Sequence, residues 1–134
     1  MKPEILCIED DGINSYVIKT ILKYDFRVRV CRLASEGLEE LRKKFYPAVI
    51  IDINPGRGKM KGMQLMKEIR QLPSEPPHLM AMTAYALPGD KKRLLEAGFD
   101  SYFSKPVERE SLISQLKNIY ESHPQKSLSE ADDR

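Results

Sequence analysis

Four residues carry the chemistry of this chain if they meet in space: Asp10, Asp52, Thr83 and Lys105. Each closes or closely follows a short strand-like run. Ile5-Leu6-Cys7-Ile8 leads into Glu9-Asp10-Asp11, and Pro47-Ala48-Val49-Ile50-Ile51 leads into Asp52. His78-Leu79-Met80-Ala81-Met82 ends in Thr83, and Asp100-Ser101-Tyr102-Phe103-Ser104 ends in Lys105. Two carboxylates about 4 Å apart repel by roughly 4 kcal/mol at an effective dielectric of about 20, so such a cluster calls for a cation or a proton. A hard divalent ion answers that need; Mg²⁺ takes one or two carboxylates and completes its shell with water and substrate oxygens. With the charge offset, Asp52 can act as a nucleophile and form an aspartyl-phosphate. Thr83 can donate to a phosphoryl oxygen, and Lys105 can pair its charge with another. Pro55 pushes Asn54 toward an extended conformation, which aims the Asn54 carbonyl toward the metal. Seen singly, a strand-end acid is a solvated helix start, Thr83 a stray hydroxyl and Lys105 a surface charge. Only the set makes a site.

The set requires elements that end together. Apolar residues at helical spacing, Ile13, Val17, Ile18, Ile21 and Leu22, predict a helix that ends near residues 23–25. Arg27 to Arg32 alternates charged and apolar residues as a half-exposed edge strand does. Ser35 is the expected N-cap of a second helix whose buried stripe is Leu38, Leu41 and Phe45. Leu38 stands where a capping box would need Glu or Gln. Residues 54–62 are rich in glycine and proline and predict a long loop. A third helix then turns Met63, Met66, Ile69 and Leu72 inward. Pro88 is expected to open a fourth helix, where its missing N–H is harmless, and Gly98 to close it. A last helix spans about Glu108 to Glu121, and the polar stretch from Ser122 to Arg134 reads as a disordered tail. The expected division is a folded unit over 1–121 and a tail over 122–134. Five strands alternating with five helices imply an open parallel sheet covered on both faces. In such a sheet a site forms outside the carboxyl ends of the strands, where strand order reverses.

Composition narrows the function classes. The 134 residues are 41% hydrophobic and 31% charged with a formal net charge of +2, which suits one globular domain and gives no overall pull toward nucleic acid or membrane. No run is long and apolar enough to span a bilayer, and no signal-peptide pattern precedes the first strand, so the expected compartment is cytoplasmic. The two cysteines, Cys7 and Cys31, sit in strand-like runs and read as buried reduced thiols. With no Cys or His cluster at ligand spacing, a zinc site is not expected. Met63, Met66, Met80 and Met82 read as core, and Lys91-Lys92-Arg93 as a solvated helix face. His78 opens a strand and His123 lies in the tail; neither reads as a phosphotransfer histidine.

The stretches Ile5-Leu6-Cys7-Ile8-Glu9-Asp10-Asp11, Ile50-Ile51-Asp52-Ile53-Asn54, Met82-Thr83-Ala84-Tyr85-Ala86 and Tyr102-Phe103-Ser104-Lys105-Pro106 resemble the receiver domains of two-component response regulators. The resemblance runs from residue 3 to about 121. It implies a doubly wound five-stranded parallel sheet of strand order 2-1-3-4-5, the flavodoxin-like receiver fold. It implies that Asp52 accepts a phosphoryl group from a sensor histidine kinase or a histidine phosphotransfer protein. Mg²⁺ would be held by Asp10, Asp52 and the Asn54 carbonyl, with Glu9 completing the acidic pocket. Thr83 and Lys105 would bind phosphoryl oxygens, and Tyr102 would be the aromatic that swings inward with Thr83. Asn54 and Tyr85 would tune the lifetime of the phosphorylated state, and the Lys105-Pro106 bond would be cis. Pro55 stands one place earlier than the family's usual proline, with Gly56 to Lys61 inserted before Gly62.

The implied role is a switch controlling a downstream protein, with self-catalysed phosphotransfer and dephosphorylation rather than enzymatic turnover. The expected state is a monomer or a weak phosphorylation-dependent dimer. A stand-alone receiver is the first expectation, and a receiver within a hybrid histidine kinase the alternative. A Mg²⁺-dependent phosphatase with an aspartate nucleophile would need an acid where Asn54 stands. A flavin-binding protein of the same sheet order would need an anion cradle where Glu9-Asp10-Asp11 would repel phosphate.

Overall fold

A computed structural model describes residues 2–53, 57–83 and 88–122. In chain order the elements are β1 (Glu4–Ile8), α1 (Gly12–Leu22), β2 (Arg27–Cys31), α2 (Ala34–Lys43), β3 (Ala48–Ile53), α3 (Arg57–Arg70), β4 (His78–Thr83), α4 (Asp90–Ala97), β5 (Ser101–Ser104) and α5 (Arg109–Glu121). The strands pair in parallel in the order β2-β1-β3-β4-β5, as expected. Strand order reverses between β1 and β3, so their carboxyl ends flank the crevice where this topology places its sites.

Alternation along the strands divides the core in two. Leu6, Ile8, Val49, Ile51, Ile53, Leu79 and Ala81 pack on the side of Leu41, Leu65, Met66, Ile69 and Leu94, the inward residues of α2, α3 and α4. Ile5, Cys7, Ala48, Ile50, Met80 and Met82 pack on the other side with Ile18 and Leu22 of α1 and Leu112, Ile113, Leu116 and Tyr120 of α5. The central strands are buried on both faces, which is why they read as unbroken apolar runs rather than alternating ones. The phenol of Tyr120 donates to the Glu4 carbonyl at 2.7 Å, tying α5 to the start of β1.

At the amino ends of the strands, Arg70 at the end of α3 donates to the carbonyls of Pro77 (3.2 Å) and Gly98 (2.8 Å) and to the Asp100 carboxylate (2.6 Å). Asp100 in turn accepts from the N–H of Leu79 at 2.8 Å. One guanidinium thus joins α3, the start of β4 and the α4–β5 connection.

Several local expectations are corrected. Of the apolar positions at helical spacing in α1, Ile13 and Val17 are exposed, and Ile18 and Leu22 are the residues that bury. The helix carries two apolar stripes, and periodicity alone does not say which one meets the sheet. α2 begins at Ala34, so Ser35 lies inside it and Leu33 holds the N-cap position. Leucine has no side-chain acceptor, so the cap is one-sided: Glu36 reaches back to the N–H groups of Arg32 (3.2 Å) and Leu33 (3.1 Å). Of the loop expected over 54–62, residues 57–62 instead belong to α3 despite Gly58 and Gly62, and residues 54–56 lie outside the described residues. Pro88 precedes α4 as part of a turn, and Gly89 at φ +84° takes the N-cap position.

Other expectations hold. Gly98 closes α4 at φ +135°. Cys7 and Cys31 are buried free thiols, and burial pushes the Cys7 thiol up to about 12, so it stays protonated at neutral pH. Among the described residues no helix is long and apolar enough to cross a membrane. Residues 123–134 lie outside the described residues, so the expected tail is not tested.

Candidate functional site

Register and alternation together assemble the site. Ile8 pairs with Ile51, so the next residues, Glu9 and Asp52, emerge side by side. Ile53 pairs with Thr83 and Thr83 with Ser104, which brings Lys105 to the same edge. Glu9, Asp52 and Lys105 continue the positions of Cys7, Ile50 and Phe103, whose side chains face α1 and α5. Thr83 and Tyr102 continue the opposite alternation, with Ala81, toward α2, α3 and α4. The acids and the lysine therefore share one face of the sheet end, and the hydroxyl and the aromatic share the other.

The three acids after β1 have three roles. Glu9 is 3% exposed and its carboxylate accepts the N–H of Asp11 at 3.0 Å. Asp11 is the N-cap of α1, accepting from Ile13 (2.8 Å) and Asn14 (3.0 Å). Those two N–H groups hold the Asp11 carboxyl below the usual carboxylate range. Asp10, between them, is exposed.

Asp52 is the buried centre, with 3% of its side chain exposed. Lys105 Nζ lies 2.7 Å from Asp52 Oδ2 and 3.7 Å from Glu9 Oε1. Its single positive charge stands between two buried carboxylates. Burial pushes the Asp52 carboxyl up, and the hydrogen bond and charge of Lys105 pull it back down. The side-chain amide of Asn14, in the first turn of α1, also reaches Asp52 Oδ2, at 3.4 Å. Asp52 Oδ1 is buried and has no hydrogen-bond partner among the described residues. A buried carboxylate oxygen without a partner is costly, and at a strand end it marks a place kept for something else.

Thr83 is 4% exposed, and its carbonyl accepts the Lys105 N–H at 2.7 Å, which fixes where the lysine leaves β5. The Lys105-Pro106 bond is cis, as expected. Tyr102 is half-buried; partial burial, and then the charge of Asp90 at the start of α4, push its phenol up. Asn54 and Tyr85 lie outside the described residues. Among those described, no three His, Cys, Asp or Glu side chains gather into a ready-made metal cage. The donor set at this edge, the Asp52 carboxylate with the Glu9 carboxylate across Lys105, is all oxygen and anionic. That set suits a hard cation that keeps much of its water.

Sequence reasoning placed Asp10, Asp52, Thr83 and Lys105 at one edge; the register brings Asp52, Thr83 and Lys105 together there with Glu9, while Asp10 is exposed. That reasoning missed Asn14, read only as part of a helix start. The signal was available: a helix that begins two residues after a strand-end acid overhangs that same edge with its first turn.

A family model described as "Response regulator receiver domain" matches residues 5–117. The sensor histidine kinase GacS of Pseudomonas protegens is 32% identical over 117 residues, an alignment that takes in 82% of this chain and 12% of the kinase. The chain thus spans about an eighth of that relative's length. A response regulator receiver domain from Methylobacillus flagellatus is 26% identical, with a TM-score of 0.72 over 89% of this chain and 99% of its own. A response regulator from Thermotoga maritima shares the fold at a TM-score of 0.75, covering 90% of this chain and 99% of its own at 21% identity.

Proposed function

Because the chain belongs to the response regulator receiver family, we propose that it is a phospho-acceptor switch in which Asp52 takes the phosphoryl group. The observation that carries this reading is the split of the Asp52 carboxylate: Oδ2 is held by Lys105 at 2.7 Å, and Oδ1 is buried without a partner among the described residues. An oxygen so presented can attack phosphorus. The donor is a phosphohistidine of a sensor kinase or phosphotransfer protein. A lone pair of Oδ1 forms the new P–O bond as the P–N bond breaks, and its electron pair stays on an imidazole whose other nitrogen bears the proton. Lys105 is placed to follow the charge from the carboxylate to the phosphoryl oxygens, and the Thr83 hydroxyl to donate to one of them. Asp10, Asp52, the Asn54 carbonyl and Glu9 would hold Mg²⁺, which when bound offsets the meeting of two anions. A kinase donor uses ATP, so the reading requires the cytoplasmic side of the membrane.

Phosphorylation then has to favour one of two conformations, by as much as it binds them differently. Thr83 and Tyr102 share the sheet face of α4, so a pull on Thr83 is felt where Tyr102 and Asp90 meet. The output is an unidentified partner protein. Two settings remain in view, a stand-alone receiver and a receiver within a longer hybrid kinase; the likeness to GacS favours the second. An antibody against this domain, reading the mass of the native protein, decides between them.

The test is acid-labile labelling. Acetyl phosphate with Mg²⁺ should add one phosphoryl group to the wild type and none to Asp52→Asn. Equal labelling of the two would sink the assignment.

A further inference from the structure

A carboxylate in isolation has two equivalent oxygens, and a half-turn of its terminal torsion exchanges them. In this protein they are not equivalent. Lys105 Nζ at 2.7 Å and Asn14 Nδ2 at 3.4 Å both donate to Oδ2, while Oδ1 is buried without a partner among the described residues. The two donors differ in kind. The lysine carries the mobile charge, and in the reading of Asp52 as phosphoryl acceptor it has a second task, pairing with the phosphoryl group. A donor that must leave for the phosphate cannot hold the carboxylate throughout the reaction. Asn14 can, because its side-chain amide is neutral and its backbone N–H is held by the Asp11 cap at 3.0 Å.

We infer that Asn14 is a positioning residue, whose amide pins Oδ2 of Asp52 so that Oδ1 is the attacking oxygen. The inference rests on the phosphoryl-acceptor reading of Asp52 and adds the choice of oxygen and the residue that makes it. With acetyl phosphate as donor, a lone pair of Oδ1 attacks phosphorus. The bond from phosphorus to the bridging oxygen breaks, and acetate leaves with that electron pair. Both groups enter and leave as anions, so no proton has to move. The amide acts by removing the torsional exchange from the approach to the transition state, a contribution of orientation.

The space beside Asn14 makes the test clean. Asn14 borders a cavity of about 350 Å³ lined also by Val17, Ile18, Ile21, Pro106 and Lys105. A leucine at position 14 has apolar room there, so Asn14→Leu removes the donor without crowding the fold. Asn14→Gln keeps an amide on a longer arm. Acetyl phosphate is the phosphodonor, because it is too small to depend on docking against the outer face of α1. At 3.4 Å the bond is at the weak end for a donor to a charged acceptor, so Asn14→Leu should label about three- to tenfold more slowly than wild type. Asn14→Gln should recover most of that loss, and both variants should melt near the wild-type temperature. A crystal structure with beryllofluoride should show beryllium bonded to the Asp52 oxygen that Asn14 does not touch.

Wild-type labelling rates in Asn14→Leu would overturn the inference. So would equal slowing in Asn14→Leu and Asn14→Gln, which would make the role one of shape, and so would beryllium on the oxygen that Asn14 contacts. Each of these results leaves labelling of wild-type Asp52 intact. Failure of the acceptor reading looks different: wild type and Asp52→Asn label alike.

Discussion

Lys105 is the counter-charge that contacts both Asp52 and Glu9, and replacing it with methionine measures how much that matters. Its contacts with Asp52 at 2.7 Å and Glu9 at 3.7 Å correspond to Coulomb attractions of about 6 and about 4 kcal/mol at an effective dielectric of about 20. Desolvation of the three groups takes back most of that sum. What the variant exposes is the cost of leaving two carboxylates buried with no cation, about 3–5 kcal/mol for a buried pair that loses one member. The lysine side chain is 17% exposed, so water can reach the gap, and the low end, about 3 kcal/mol, is expected. For a chain of this length that is a drop in melting temperature of roughly 10 °C. The assay is a pair of melts, without and with about 10 mM Mg²⁺; an ion that binds only the folded state stabilises it by mass action. The ion should recover more in Lys105→Met than in the wild type, where the ammonium competes for the same carboxylates. A Lys105→Met melt within about 2 °C of wild type at neutral pH would refute the reasoning. It would mean that the carboxylates are protonated or hydrated rather than held by the lysine.

Two further outcomes follow from the packing. In Gly37→Ala the new methyl group would sit 2.5 Å from Ile8 Cδ1 and 2.9 Å from its Cγ1, directly below the site strand. Overpacking costs about 1–3 kcal/mol and the better helix propensity of alanine returns up to about 1, so the urea midpoint should fall with an unchanged slope. His78 Nε2 lies 3.0 Å from Ser101 Oγ; burial, opposed by Asp100 and then assisted by Arg70, holds the imidazole below its usual range. The unfolded chain then binds the proton more readily, so stability present above pH ~6.5 is lost as pH falls through the unfolded value toward the folded one. His78→Gln should flatten this part of the urea midpoint against pH, and an unchanged slope there would count against the histidine as its source.

Much of the site was legible because a parallel sheet converts sequence position into spatial position: residues that end apolar runs end up at one edge. That logic placed Asp52, Thr83 and Lys105 without any tertiary information. It could not separate the roles of Glu9, Asp10 and Asp11, since only the folded turn shows Glu9 buried, Asp10 exposed and Asp11 used as a cap. It did not separate exposed Ile13 and Val17 from buried Ile18 and Leu22, because an apolar stripe on a helix reads the same whether it meets the sheet or the solvent. Ser35 failed as a cap for a related reason. The cap is made by a side chain reaching backward from Glu36, which a forward search from Ser or Thr does not see. Gly58 and Gly62 were read as breakers, yet they lie within α3, and at Gly62 a methyl group would come 2.9 Å from Ile53 Cγ1. The absent side chain there is what lets α3 lie close against β3.

The guanidinium of Arg70 has a mechanical consequence. It grips the Gly98 carbonyl just past the end of α4, and Gly98 N–H bonds back to Leu94 and Leu95 at 3.3 Å. At the far end of α4, the charge of Asp90 is felt by the Tyr102 phenol. A helix of eight residues is about 12 Å long. Held at one end, it is a lever: a tilt of about 10° about Gly98 displaces its first turn by about 2 Å. In the proposed switch, the arginine at the quiet end of the sheet sets the fulcrum for a movement begun at Thr83.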